Sequence, residues 1–431
     1  MGKTALRCSE CGYKSLQWVG RCPGCGAWDA LAPEAGPKAH PVVSLKEASS
    51  APEQRILTGI EGLDAVLGGG LVKGSVVLLA GEPGVGKSTL ALQAAAGLSD
   101  QTEKVLMVCG EESVGQVAAR ARRLGVSQAL NLTSTRDVSA LLPQVAEHSV
   151  IVVDSVQTLI DPKASGEAGS VTQVRSVAAA LAEVARVSGT AVILIGHVTK
   201  DGSVAGPRVL EHLVDVVAVF EGDRGMSLRT LRGIKNRFGG TGELAVFEMS
   251  AKGLQEVADP SSLMVSHRSK APGSAIGCVL EGRRGLCLEF QTLVLTTPAQ
   301  FPKRIARGIE SSRLGVLLAV IEKRAGLKLS GAEVYASVAG GLSTTDPGCD
   351  LPLALSFASA FRDSVVKEGI AAVGEIGLGG EVRSVPGMSL RVKELGRMGF
   401  EKVIVAKGFG RQLGPHIIET DSVAEAISLA L

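Results

Sequence analysis

The sequence predicts an α/β protein in three parts: a small cysteine-built module, a central sheet whose strands alternate with helices, and a last third that mixes paired strands with helices. Three observations predict it. GEPGVGKST, Gly81 to Thr89, fits G-x-x-x-x-G-K-S/T and lies between the buried-strand run SVVLLA and the helix-forming run LALQAAAGL. Cys8-x-x-Cys11 and Cys22-x-x-Cys25 stand close together near the start. Far downstream, CVLEGRRGLCLEFQTLVLTT alternates as paired strands do, and Arg304 to Gly326 then reads as a helix after Pro302.

The loop between the first strand and helix comprises Gly81, Glu82, Pro83, Gly84, Val85, Gly86, Lys87, Ser88 and Thr89. Its glycines let successive backbone N–H groups wrap a triphosphate, and the helix N-terminus behind them faces it with partial positive charge. Lys87 then serves the β and γ oxygens, and the Ser88 hydroxyl serves Mg²⁺. ATP and Mg²⁺ are the expected ligands. KVLMVC, Lys104 to Cys109, is a second buried strand that runs out at Glu111 and Glu112. A carboxylate there is placed to polarise an attacking water, so Glu111 is the expected general base and Glu112 the second choice, one of the two capping the helix that follows. SVIVVDS ends on Asp154, in the manner of a Walker B aspartate that holds the Mg²⁺ shell. AVILIGHVTK, Ala191 to Lys200, puts His197 at a strand end, as a sensor of the terminal phosphate or as an ordinary satisfied histidine.

Composition narrows the field. The 431 residues have room for two to three domains of ~100–200 residues. Hydrophobic residues at 45% and charged ones at 20% describe a soluble globular chain. A net charge of +2 excludes a polyanion partner held by bulk charge, and 3% aromatics argue against base reading by an array of stacked rings. No apolar run reaches the ~18 residues of a membrane span, and the first residues lack the apolar core of a signal peptide, so a cytoplasmic location without membrane contact is expected.

Cys8, Cys11, Cys22 and Cys25 form two knuckles, each with a glycine directly after its second cysteine, which suits a closed tetrahedral Zn²⁺ site. Disulfides are the rival. Cys109, Cys278, Cys287 and Cys349 argue against them, being scattered in apolar segments as in a reducing compartment. Such a site is structural, and the metal supplies most of the module's folding energy. Trp18 and Trp28, the only tryptophans, are expected to pack over it. The expected organisation is a zinc module over 1–31, a linker over 32–54, a core over 55–262 and a last domain over 263–431.

Two long loops follow strand ends, Ser155 to Thr172 and Thr199 to His212, and Lys163, Lys200 and Arg208 within them are candidate phosphate contacts on loops that are otherwise simply solvated. Ser227 to Ser250 alternates as an edge hairpin does and carries Lys235-Asn236-Arg237-Phe238-Gly239. Two cations flanking a tight turn, so far along the chain from the phosphate loop, are suited to reach a neighbouring subunit's γ-phosphate, which implies a ring. Arg283, Arg284, Lys303, Arg304, Arg307 and Arg313 cluster in the last third, as a grip on duplex DNA or as a solvated face.

With the cysteine module in front and Lys235 to Gly239 behind, the sequence resembles the RadA/Sms family of bacterial DNA repair proteins over nearly its whole length. Ile56 to Ser75, with Thr58, Gly59, Leu63, Asp64, Gly68, Gly69, Gly70 and Gly74, is similar to the lead-in segment of RecA-type ATPases. The resemblance implies a RecA-like P-loop ATPase with an N-terminal Cys₄ zinc finger and a C-terminal α+β domain like the protease domain of Lon. It also implies DNA-stimulated ATP hydrolysis by a homo-hexamer that drives branch migration on single-stranded and branched DNA, alongside a RecA-type recombinase or another recombination factor. In that reading Lys87, Ser88, Glu111 and Asp154 serve the nucleotide, and Lys235 and Arg237 couple ATP state to DNA and to subunit contact.

Two later segments, Gly341 to Phe361 and Gly374 to Leu395, resemble those that carry a serine nucleophile and a lysine base in Lon. Here Asp350 stands at the serine position, or Cys349 if the alignment shifts by one, and Arg391 stands at the lysine position. An aspartate is no acyl-accepting nucleophile in that role and a guanidinium stays protonated, so a proteolytically inactive platform is expected. The alternatives are a Lon-type ATP-dependent protease and a RecA-like ATPase that switches protein partners without DNA.

Overall fold

A computed structural model describes residues 6–11, 13–15, 17–33, 54–101, 104–127, 129–197, 207–222, 228–266, 268–282, 284–299, 301–410 and 414–431. The chain divides into two units, Met1–Glu53 and Gln54–Leu431. Lys200, Arg283, nearly all of the expected linker and most of the Thr199 to His212 loop lie outside the described residues, as does the Arg208 side chain.

The first unit holds a three-stranded antiparallel sheet of β1 (Leu6–Cys8), β2 (Lys14–Ser15) and β3 (Leu31–Pro33), with β1 in the middle. Its apolar core is Cys8, Cys22 and Leu31, too small to enclose an indole. The tryptophans expected over the cysteines therefore stand outside, Trp18 62% and Trp28 73% exposed. Tyr13 takes the place beside the sulfurs: a Cβ on Gly24 would meet the Tyr13 Cβ at 3.1 Å and Cys11 Sγ at 3.3 Å.

The second unit opens with the pair β4 (Arg55–Ile56) and β5 (Leu71–Val72), joined through the helix Glu61–Val66. Asp64 is buried there and its Oδ1 accepts the Thr58 N–H and hydroxyl, both at 2.9 Å. Gly68, Gly69 and Gly70 follow at φ 83°, 108° and 116°, a left-handed run that only glycine takes without strain.

Nine strands then form one sheet: β6 (Val76–Gly81), β7 (Val105–Cys109), β8 (Asn131–Thr133), β9 (Val150–Asp154), β10 (Ala191–His197), β11 (Val216–Glu221), β12 (Leu228–Asn236), β13 (Leu244–Ser250) and β14 (Gly253–Glu256). Their order is β14-β13-β12-β11-β6-β10-β9-β7-β8. From β8 to β11 neighbours run parallel, and β12 to β14 extend the sheet antiparallel.

The parallel strands are aliphatic without alternation because helices cover both faces. Along β6, Val77 and Leu79 enter one core with the helix Lys87–Ser99, and Val76, Leu78 and Ala80 enter the other with the helices Val138–Glu147 and Val171–Ser188. The expected hairpin forms as β12 and β13, one position in from the edge, because Ser250 to Gly253 turns the chain back once more into β14.

A second sheet of seven strands comprises β15 (Ser274–Glu281), β16 (Arg284–Thr296), β17 (Arg304–Arg307), β18 (Ala332–Val338), β19 (Ile370–Ala372) and, past the short hairpin β20 (Glu375–Ile376) and β21 (Val382–Arg383), β22 (Lys402–Ala406) and β23 (His416–Thr420). The helices Ser311–Ala325, Asp350–Arg362, Met388–Arg397 and Val423–Ala430 contribute to its core. One expectation fails here. Arg304 to Arg307 is a strand paired parallel with β18, and the helix begins only at Ser311, because Gly308 at φ 74° breaks the path and a Cβ there would strike the Leu342 carbonyl oxygen at 2.2 Å.

The two sheets are joined firmly. Arg232 on β12 pairs with the buried Glu281 of β15, and Arg397 grips Asp259 through both Nη atoms at 2.6 and 2.8 Å. The helix Pro260–Ser266 runs across the expected boundary at 262 and sends Met264 and Val265 into the C-terminal core.

Candidate nucleotide site and metal centre

Parallel strands deliver their C-terminal ends to one edge of a sheet, and a ligand there meets loops from several strands at once. β6, β7, β9 and β10 end side by side in this way. The loop after β6 is closely fitted: a Cβ on Gly81 would lie 2.2 Å from the Phe220 carbonyl oxygen, and Gly86, at φ 116°, forms the N-cap of the helix Lys87–Ser99.

Lys87 is buried, with Nζ donating to the carbonyls of Gly81 at 2.8 Å and Glu82 at 2.9 Å and lying 3.0 Å from His197 Nδ1. Burial lowers its pKa to about 8, opposed by the charges of Glu111 and Asp154. The ammonium thus rests on weak acceptors that a phosphate would outcompete.

Glu111 comes to the same place from β7. Its Oε1 accepts the Ser155 hydroxyl at 2.6 Å and lies 2.7 Å from His197 Nε2. The His197 contact, ahead of the Ser155 bond and against burial, holds the carboxyl at about 2. Glu112 turns away to Arg120. Neither glutamate caps the next helix; Ser113 does, in a capping box with Gln116, because its short hydroxyl reaches the Gln116 N–H.

Asp154 ends β9, 8% exposed, and its carboxylate takes the Ser88 hydroxyl. Burial raises its pKa, and Oδ1 is buried with no partner among the described residues. A desolvated carboxylate oxygen left open beside a serine hydroxyl is the donor set of a hard divalent cation, so Asp154 and Ser88 fit Mg²⁺.

The four cysteines fit Zn²⁺ as well. Their sulfurs all lie within 4.8 Å of one another, with Cys8 to Cys25 at 3.7 Å and Cys11 to Cys22 at 3.6 Å. A tetrahedron of thiolates with Zn–S of ~2.3 Å has edges of about 3.8 Å. The disulfide alternative fails, since all four are free thiols.

The cationic turn lies at the other edge. Asn236 and Lys235 pair with Val216 and Val217, which sit beside Val77 and Leu78 near the start of β6. Three to four residues of strand, roughly 10–13 Å, separate those positions from the phosphate loop. Lys235 Nζ donates to the carbonyls of Glu211 and, at 2.8 Å, Val214. Arg237 Nη1 donates at 3.0 Å to Asp215 Oδ1, whose Oδ2 accepts the Val76 N–H at 2.9 Å.

The rest of the turn clamps the glycine run. Asn236 Nδ2 donates to Val66 O, Asn236 Oδ1 accepts the Phe238 N–H, Arg55 bridges the carbonyls of Gly68 and Phe238, and a Cβ on Gly239 would sit 3.0 Å from Gly68 Cα. Arg55 and Asp215 escaped the sequence reading. The one signal for Asp215 was a lone carboxylate inside LVDVV.

The candidate DNA residues that the structure describes stand on several elements. Lys163 is exposed on a loop that the buried Gln173 ties down through Asp161, Ala164 and Gly166. Arg304 and Arg307 are exposed on edge strand β17, and Arg284 donates to Ala258 O. Arg313 is taken out of the set: its Nε and Nη2 grip both oxygens of the fully buried Asp350, which also accepts the Ile376 N–H at 3.1 Å. The pair borders a cavity of about 660 Å³ with Glu375, Leu378 and Glu381 on its wall. Cys349 is buried with its thiol pushed up to about 12 by burial and by the charges of Asp350 and Asp346. Arg391, also buried, donates to Cys278 O, Pro386 O and Asp346.

Fold and site together define a P-loop ATPase of the RecA-like class that carries a Cys₄ zinc ribbon. The AAA domain family matches residues 44–203 and the rubredoxin metal binding domain family residues 7–33. The chain belongs to the RadA family. It is 41% identical to the DNA repair protein RadA of Bacillus subtilis over all of this chain and 99% of that protein, and 41% identical to RadA of Aquifex aeolicus over 99% of each. RadA of Mycolicibacterium smegmatis is 41% identical over 99% of this chain and 96% of its own. Among solved structures, the KaiC-like protein PH0186 of Pyrococcus horikoshii aligns with a TM-score of 0.40 and 20% identity over 48% of this chain and all of that one, too loose a likeness to build on. Among the described residues no helix is long and apolar enough to cross a membrane.

Proposed function

We propose that this chain is an ATP-driven DNA motor of recombinational repair: a homo-hexameric ring that translocates on single-stranded DNA and drives branch migration with a RecA-type recombinase. The observation that carries the reading is the division of labour across one sheet. Lys87, Ser88, Glu111, Asp154 and His197 converge at one edge, and Lys235 and Arg237 sit toward the other, bonded to Glu211, Val214 and Asp215 and away from the phosphate loop of their own subunit. Cations held away from their own pocket are suited to a neighbour's, as a head-to-tail ring requires.

Within a pocket, Lys87 moves from the Gly81 and Glu82 carbonyls to the β and γ oxygens, and the nine residues from Gly81 to Thr89 cradle the phosphates. Ser88 and Asp154 would hold Mg²⁺, which when bound would supply neutralising charge to those oxygens. Glu111, kept ionised by His197 and Ser155, orients the attacking water. When Lys87 leaves His197 for phosphate, the imidazole loses one of its two contacts, which links occupancy to the chain after β10. Arg237 exchanges Asp215 for the γ-phosphate of the next subunit, and Lys235 with Lys163, Lys200 and Arg208 meets the DNA backbone.

The proposed domains are 1–31 for the zinc finger, 55–262 for the ATPase and 263–431 for a Lon-like platform without proteolysis, whose Arg304 and Arg307 remain open to duplex DNA. The test is the ATPase rate against added single-stranded DNA at two salt concentrations, wild type beside Lys235→Ala and Arg237→Ala. Stimulation that weakens with salt and with Lys235→Ala is expected, and Arg237→Ala should cost ~10³-fold or more in turnover. A wild-type rate indifferent to DNA rejects the motor.

A further inference from the structure

The zinc module carries a feature that neither its metal nor its fold requires. Trp18 and Trp28 are the only tryptophans in 431 residues, and both stand on its surface, 62% and 73% exposed. Their rings flank one point of the backbone: a Cβ on Gly20 would lie 3.7 Å from Trp18 Cη2 and 3.9 Å from Trp28 Cζ3. Arg21 pairs with Trp28 across an antiparallel bridge, so the two side chains share a face, and the guanidinium carbon lies 5.7 Å from the indole centroid. Arg21 Nε donates to Gly26 O at 2.9 Å; among the described residues its Nη groups have no protein acceptor.

Aromatic side chains dominate core and interface energetics, and this pair leaves roughly 300 Å² of ring uncovered, within the size range of exposed apolar patches that are often functional. The three-residue core of Cys8, Cys22 and Leu31 makes no use of them. Two flat π faces beside a cation with open N–H donors match a particular chemistry. Indoles stack with any unpaired base, and a guanidinium fork takes the phosphate between two bases.

We propose that Trp18, Trp28 and Arg21 form a base-stacking site for single-stranded DNA on the zinc module. It rests on the reading of the chain as a DNA motor and adds a contact to the strand that no basic loop supplies: one that depends on bases being present and unpaired. A duplex, whose bases are already stacked, is a poor ligand for it.

The chain supplies its own probe, since all tryptophan emission comes from these two residues. Full-length protein is titrated with an oligo(dT), with an abasic oligomer of the same length, and with a RecA-type recombinase alone, following tryptophan emission. Oligo(dT) should quench and the abasic strand should not. By anisotropy of labelled oligo(dT), the Trp18→Ala/Trp28→Ala double variant should bind ~10- to 100-fold more weakly, the Trp18→Phe/Trp28→Phe variant close to wild type, and both should retain stoichiometric zinc as proof of a folded ribbon.

Equal quenching by the abasic strand overturns the proposal, and so does emission that responds only to the recombinase. Emission unmoved by oligo(dT) while DNA still stimulates the ATPase overturns the stacking site and leaves the motor standing. Quenching without stimulation does the reverse.

Discussion

Two regions of the second unit hold segments that the sequence aligns with catalytic ones, and they treat their polar atoms in opposite ways. At the phosphate loop the groups are left wanting. Asp154 Oδ1 is buried and has no partner among the described residues, Lys87 rests on two carbonyls and an imidazole, and Glu111 keeps its charge while partly exposed. In the cleft behind Arg313 the groups are saturated. Asp350 accepts three donors, Arg391 donates to three acceptors, and Cys349 is buried with its thiol held protonated. A site that must receive a ligand holds strain until the ligand arrives, whereas a site with no chemistry to perform is free to satisfy itself. The contrast separates a site poised to take a ligand from one whose polar groups already meet one another.

The sharpest way to break the comparison is to remove one group from each cleft and measure turnover. Glu111→Gln should lower ATP turnover by ~10²–10⁴-fold with nucleotide affinity retained, while Cys349→Ala leaves turnover where it was. A Cys349→Ala variant as damaged as Glu111→Gln would place chemistry in the wrong cleft.

Stability should respond in the reverse sense. Asp350→Ala strands the Arg313 guanidinium and the Ile376 N–H, at a cost of about 3–5 kcal/mol read by urea unfolding. Asp154→Asn removes a charge whose burial outweighs the help it has from Ser88 and Arg120, so the nucleotide-free chain should gain about 1 kcal/mol while Mg²⁺-dependent hydrolysis disappears. Equal destabilisation by the two substitutions would erase the distinction drawn here.

The smallest effect is in pH. Glu111 has its carboxyl depressed from 4.5 to about 2, so the stability it contributes is complete above 4.5 and is lost as pH falls through about 2. The difference in thermal midpoint between wild type and Glu111→Gln should therefore shrink across that window, and His197→Ala should move the window upward, because His197 is the first cause of the shift. A difference that stays flat from neutral pH to pH 2 would show that His197 does not hold the charge.

The zinc module and the ATPase core also differ in how much of each could be read from the chain. Four cysteines in two C-x-x-C pairs carry their own geometry, because a metal that takes tetrahedral sulfur selects the spacing. The tryptophans around them stand exposed, since the rule that buries indoles holds only where a core is large enough to receive them. In the last third, Arg304 to Arg307 reads as helix from its neighbours and becomes strand because β18 lies alongside to pair with it, a partner that local periodicity does not contain.

The sequence by itself determined what is written in consecutive residues. The phosphate loop with its flanking strand and helix, the sulfur ligands, and the strands that end on Glu111 and Asp154 all follow from spacing, because those chemistries are built from one segment of backbone at a time. Only the tertiary structure decided the pairings. His197 stands between Lys87 and Glu111 across 110 and 86 residues of chain, Arg237 rests on Asp215, and Arg313 closes on Asp350, because strand order within a sheet is set by how distant aliphatic faces bury one another and leaves no trace in local spacing.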